Sequence, residues 1–181
     1  MSNYITTGVV RFSYANVFTP KAVDDNSKEK YSVSLIISKD DKKTIKKLID
    51  GIEAAKHDDR AQRVFGAKLP PKLKTPLRDG DEERPEDPAY ANSWFINANS
   101  DNKPKIVDKN LNEIIDPDDF YSGCYGRASI NFYAYNTAGN KGIACGLSAL
   151  QKIKDGEPLG GTASIEDAFG GDNEFDEDDD F

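Results

Sequence analysis

Five or more strand-like stretches, one helical stripe set between them and glycine-marked bends predict a mainly β chain. That count fits best an OB-fold, a five-stranded, partly open antiparallel barrel with one inserted helix and long loops. A disordered acidic C-terminal tail is expected to follow. The expected division is a folded domain over residues 1–158 and a flexible linker and tail over 159–181.

Taken in order, Thr7–Tyr14 alternates and reads as the first strand, with Val10, Phe12 and Tyr14 on one face and Val9, Arg11 and Ser13 on the other. Phe18–Lys21 reads as a turn and Asp24–Lys30 as a polar loop. Tyr31–Ile37 is β-branched and aromatic, a second strand with Tyr31, Val33, Leu35 and Ile37 inward. Ser38 begins a helix as its N-cap, and Ile45, Leu48, Ile49, Ile52 and Ala55 make its apolar stripe. Phe65–Ala91 is broken by Pro70, Pro71, Pro76, Pro85 and Pro88 and reads as a long loop, basic first and acidic later. Ser93–Ala98 is a third strand and Lys103–Val107 a short fourth. Asp116–Asp119 caps a turn, and the strand carrying Arg127 follows. Asn136–Gly142 is a glycine- and asparagine-rich loop before a last strand, Ile143–Ile153, in which Gly146 marks a bulge or bend.

Charge is unevenly placed. The 181 residues carry a formal −8, but Glu166–Phe181 alone holds nine acids and no Lys or Arg. The remainder has 23 acids against 24 bases, so a near-neutral body is joined to an acidic tail. No long apolar run or charged-then-apolar leader is present, so a soluble, unexported protein with no membrane partner is expected. Cys124 and Cys145 lack zinc-site spacing and read as small buried hydrophobes.

The chemistry concentrates in Gly123–Asn136. From Arg127 a period of two puts Arg127, Ser129, Asn131, Tyr133 and Tyr135 on one face and Ala128, Ile130, Phe132 and Ala134 on the other. The second set packs a core. The first pairs aromatic platforms with a cation, the combination that single-stranded nucleic acid binding uses. Tyr133 and Tyr135, then Tyr125, Tyr14 and Trp94, are the candidate stacking residues. Arg127, Arg11, Arg78, Lys141 and Lys21 are the candidate phosphate partners. Phe175 and Phe181 sit unusually in a solvating tail, and with Asp178, Asp179 and Asp180 they form a candidate hook for partner proteins. The same acids would compete with nucleic acid for a basic groove.

Enzyme chemistry finds little support. There is one histidine, no nucleophile signature and no phosphate loop, so no catalytic residue, cofactor or metal is expected. Two alternatives stand beside the nucleic-acid reading: a protein–protein adaptor with an acidic linker, and a Mg²⁺-dependent nuclease using Asp116, Asp118 and Asp119.

Val10–Phe18, Pro76–Arg84, Tyr121–Ala134, Asn140–Leu147 and the Gly156–Gly161 exit together resemble the single-stranded-DNA-binding proteins of tailed bacteriophages, Enc34 phage type. The resemblance implies an OB-fold and a role in phage replication, recombination and repair, in the cytoplasm of the infected bacterial host. It also implies tail-mediated recruitment of replication or recombination proteins. Both monomer and homodimer remain open. Trp94 is the only tryptophan, so tyrosine and phenylalanine must do most of any stacking.

Overall fold

Alternating apolar residues leave the strands with one face to bury, and they bury it by closing into a barrel. The computed structural model describes residues 4–22 and 28–159. Its elements are β1 (Ile5–Thr6), β2 (Val10–Lys21), β3 (Lys30–Ser38), α1 (Lys42–His57), α2 (Asp59–Phe65) and β4 (Leu77–Asp79). After these come α3 (Gly80–Glu83), β5 (Ser93–Ser100), β6 (Lys105–Val107), β7 (Tyr125–Thr137) and β8 (Asn140–Lys154).

Five long strands form a circuit, β2-β3-β5-β8-β7 and back to β2. All neighbours are antiparallel except β5 and β8, which run parallel. This is the expected OB barrel. Two of its seams are short: β2 meets β7 at Val10–Gly126 and Arg11–Tyr125, and β5 meets β8 at Asn99–Gly146. The barrel is therefore only partly closed. β4 pairs with the first half of β5, while β1 and β6 extend β7 and β8 at their outer edges.

Phe12, Leu35, Ile37, Ile96, Ile106, Ile130 and Leu150 fill the interior, and Leu48, Ile52 and Ala55 of α1 close over it. Each such large side chain contributes about 1.5–3 kcal/mol on burial. Phe12 and Phe120 meet at 4.9 Å between ring centroids. Cys124 and Cys145 are buried free thiols within this core. A smaller cluster of Ile36, Tyr90 and Phe95 lies apart from it, with Leu159 packed alongside. No helix among the described residues is long and apolar enough to cross a membrane.

Several local expectations are corrected. The first strand does not turn at Phe18 but runs to Lys21. Tyr14 adopts a positive φ of 47° and is 55% exposed, so the alternation that would have placed it inward with Val10 and Phe12 breaks there. Ser38 ends β3, and Asp41 caps α1 by accepting from the Thr44 N–H. The helical stretch is two helices broken at Asp58, whose carboxylate caps the second. Ile49 falls outside the buried stripe. The long loop contains α2's end, β4, α3 and a 3-10 turn at Pro88–Tyr90.

The last loop is a two-residue turn with positive φ at Ala138 and Gly139, the geometry that matches strand twist in a tight hairpin. Gly146 is not itself the bulge. The register of β7 on β8 slips between the pairs Ser129–Ala149 and Ile130–Leu147, which leaves Ser148 as the extra residue.

Gly126 stands at the β2–β7 seam, and a Cβ there would collide with the Gln151 carbonyl of β8. Replacing Gly126 by Ala should lower stability by about 1–3 kcal/mol, read as a reduced urea midpoint.

Candidate nucleic-acid interface

Strand register brings one row of small polar side chains around the outside of the barrel. Asn16 of β2 pairs with Ser32 of β3, Ser32 with Asn99 of β5, Asn99 with Gly146 of β8, and Gly146 with Asn131 of β7. Directly opposed residues share a face, so the row forms a girdle across all five strands. Four inter-strand steps make it roughly 19 Å long. It carries no formal charge. The Asn16 amide donates to the Tyr14 carbonyl at 3.2 Å. At Gly146 the missing side chain leaves room for the Asn131 amide.

A groove of about 350 Å³ opens on the β5–β8–β7 part of this girdle. Asn99, Asn131, Gly146 and Tyr133 line it, with the ammonium-bearing Lys30 and Lys103 on its walls. Lys21 pairs in register with Lys30 at the end of β2, which brings a further cation to this side.

Two tyrosine–arginine pairs border the girdle. Tyr133 lies two residues beyond Asn131 on the same face, and the Arg60 guanidinium carbon stands 5.0 Å from its ring centroid. Arg60 is fixed by its Nε–H, which donates at 2.8 Å to the carbonyl of Ala134. At the other end Tyr14 lies two residues before Asn16, with Arg84 at 5.3 Å. Such contacts combine a cation with a flat ring.

The remaining predicted residues are dispersed. Arg127 faces outward as expected, but its Nε–H donates to the Thr7 carbonyl. Six residues along the strand separate it from Tyr133, roughly 20 Å. Tyr135 stands opposite Gly142 at the hairpin end, where a Cβ would strike its phenol, and Lys141 is beside it. The Lys74 N–H donates to the carbonyl of Lys141, tying the basic segment to the hairpin. Arg11 stacks on Tyr125 at 5.3 Å and donates to the Gly123 and Glu157 carbonyls. Trp94 takes Lys39 at 5.3 Å, away from the girdle row. Arg78 is ion-paired with Glu83 at 2.8 Å. Phe175, Asp178, Asp179, Asp180 and Phe181 lie outside the described residues.

Sequence reasoning missed Arg60, Arg84, Lys30 and Lys103 as site residues. One signal for Arg60 existed: residues 60–78 hold six Lys or Arg and no acid. Among the described residues no cluster of three or more His, Cys, Asp or Glu side chains is placed to hold a metal ion. The Asp116 carboxylate accepts from the Asp118 N–H and caps its own turn.

A barrel of this circuit, with a neutral hydrogen-bonding girdle between ring–cation pairs, defines an OB-fold binding protein. A family model described as "Enterobacter phage Enc34, ssDNA-binding protein" matches residues 3–181, and the chain belongs to that family. The chain is similar to the single-stranded DNA-binding protein from bacteriophage Enc34 solved in complex with ssDNA, at 29% identity and a TM-score of 0.75. The match covers 87% of this chain and 90% of that one. Putative protein p50 of Acyrthosiphon pisum secondary endosymbiont phage 1 is 28% identical over 165 residues, 87% of this chain and 88% of the relative. The gp2.5 single-stranded DNA binding protein of bacteriophage T7 shares the fold, with a TM-score of 0.60 at 14% identity, covering 90% and 98% of the two chains.

Burial raises the Tyr133 phenol above the ordinary tyrosine value, a push that the nearby Arg60 opposes. The neutral phenol therefore stabilises the fold fully below the unfolded value of about 10, and that contribution is lost as pH rises through the folded value. Tyr133→Phe should show a shallower fall in urea midpoint above about pH 10 than the parent.

Proposed function

We propose that this protein is a non-catalytic, sequence-tolerant binder of single-stranded DNA, acting in phage replication and recombination in the host cytoplasm. The girdle with Tyr133 and Arg60 on its border is the observation that carries the reading. Membership of the Enc34 family supports it, as does likeness to a relative solved with ssDNA.

Bases stack on Tyr133 and on Tyr135 farther along β7, while backbone phosphates meet Lys30, Lys103 and Lys21 around the groove. Amides and hydroxyls of the girdle bond to bases and phosphates of any sequence. Lys141, with Lys74 beside it, extends the cationic path at the hairpin. Arg78 exchanges its bond to Glu83 for phosphate. Arg11, Tyr125, Trp94 and Arg127 stand off the girdle and contribute only where the strand continues beyond it.

The acidic tail competes with DNA for these cations and, through Phe175 and Phe181, recruits replication or recombination proteins. The position of Leu159, the last described residue, supports this reading: it packs against Ile36, Tyr90 and Phe95 and donates its N–H to the Ser122 carbonyl.

Tyr133→Ala should weaken oligo-dT binding by about 1–3 kcal/mol in a fluorescence titration, and equal affinity would remove Tyr133 from the site. The logarithm of the binding constant should fall linearly with that of salt concentration, at a slope of about −0.7 per phosphate neutralised. Deleting the tail from Glu166 should tighten binding at low salt in a gel shift. Unchanged affinity would end the competition model and leave only the recruiting role.

A further inference from the structure

Asp79–Asp87 holds six carboxylates and one cation, Arg84. A guanidinium in such a run ordinarily finds an acid. Here four of the six are engaged elsewhere, Asp79 and Asp81 with Lys39, Glu83 with Arg78, and Asp87 in capping the turn that follows, and neither Glu82 nor Glu86 pairs with Arg84. Arg84 forms no ion pair among the described residues, and its Nε–H is buried without an acceptor. Its head instead lies 5.1 Å from the rings of Tyr90 and Phe95 and 5.3 Å from Tyr14. Tyr90 and Phe95 meet edge to face beneath it, so the guanidinium rests on a fixed aromatic floor. Tyr14 is held outward by its left-handed backbone and is 55% exposed. Strain of that kind on a non-glycine residue persists where surrounding structure enforces it and is concentrated at ligand sites.

We infer that Tyr14 and Arg84 form a second nucleotide station, in which one base stacks on the exposed Tyr14 ring and an acceptor oxygen of that nucleotide takes the Nη donors of the guanidinium. This rests on the girdle being the path of single-stranded DNA. The station lies across the row from Tyr133 and Arg60, so one strand of a few nucleotides engages both ends. Arginine is required because its plane is supported by three rings while its edge donates; lysine supplies charge without the plane. The same donors suit a carboxylate of the acidic tail, whose route starts at Leu159 on the same cluster. Occupancy by nucleotide and occupancy by tail change affinity in opposite directions.

The test is oligo-dT titration of the full chain carrying Tyr14→Ala, Tyr14→Phe, Arg84→Ala or Arg84→Lys, with Tyr133→Ala alongside. Tyr14→Ala and Arg84→Ala should each weaken binding about tenfold, and Tyr14→Phe should bind as the parent does. Arg84→Lys should lose affinity like Arg84→Ala while keeping the parent's salt slope, because its charge survives. Parent-like affinity in Arg84→Lys overturns the stacking role. Tighter binding in Arg84→Ala assigns the guanidinium to the tail and overturns the station. Thermal melting checks that Arg84→Ala still folds; if it does not, the Tyr14 pair decides, since that ring is exposed. Loss of affinity in Tyr133→Ala alone overturns the station and leaves the DNA-binding reading intact. A parent that fails to bind oligo-dT overturns that reading itself.

Discussion

Closure of the barrel through two short seams is the constraint on which the rest depends. At Gly126 the β7 backbone must approach both β2 and β8, and at Gly146 the β8 backbone must face β5 on one side and β7 on the other. A side chain at Gly126 would strike the fixed Gln151 backbone carbonyl, and one at Gly146 would displace the Asn131 amide from its place in the row. Those approaches fix the register of five strands at once. Register in turn decides which residues stand shoulder to shoulder outside, because a shift of one would send every side chain to the other face. The polar girdle is thus a product of the same pairing that fills the core with Phe12, Leu35 and Ile130.

The strands were readable because their alternation is strong and local. Arg127, Tyr133 and Tyr135 face away from Ala128, Ile130, Phe132 and Ala134 as a period of two requires. Periodicity failed at Tyr14, where a single left-handed residue resets the alternation and nothing in the side-chain pattern announces it. It failed also over Phe65–Ala91, where prolines hide a short strand that depends on β5 for its partner. The helix start was misplaced because Ser38 and Asp41 are both good caps, and the pairing of Ser38 with Ser93 claimed the former for the sheet.

The site was half legible. A strand pattern tells which side chains point outward, but not which residues from other elements will stand over them. Arg60 reaches Tyr133 only because α2 lies along the β7 edge, and Arg84 reaches Tyr14 only because α3 and the following turn fold across β3 and β5. Asn16, Ser32, Asn99 and Asn131 are each unremarkable in the sequence and become a surface only through register. The seven ordinary-looking cations in Arg60–Arg84 likewise sort by geometry: Arg78 is neutralised by a neighbour, whereas Arg60 and Arg84 sit on rings.

Leu159 has a consequence of its own. Its packing and its bond to Ser122 fasten the chain at the rim of the ring cluster, with 22 residues still to come. Their contour spans at most about 75 Å, so any group they carry is confined to a small volume around the barrel. On the proposed competition, an outside ligand meets a rival whose local concentration does not fall on dilution, so only more ligand or more salt displaces it.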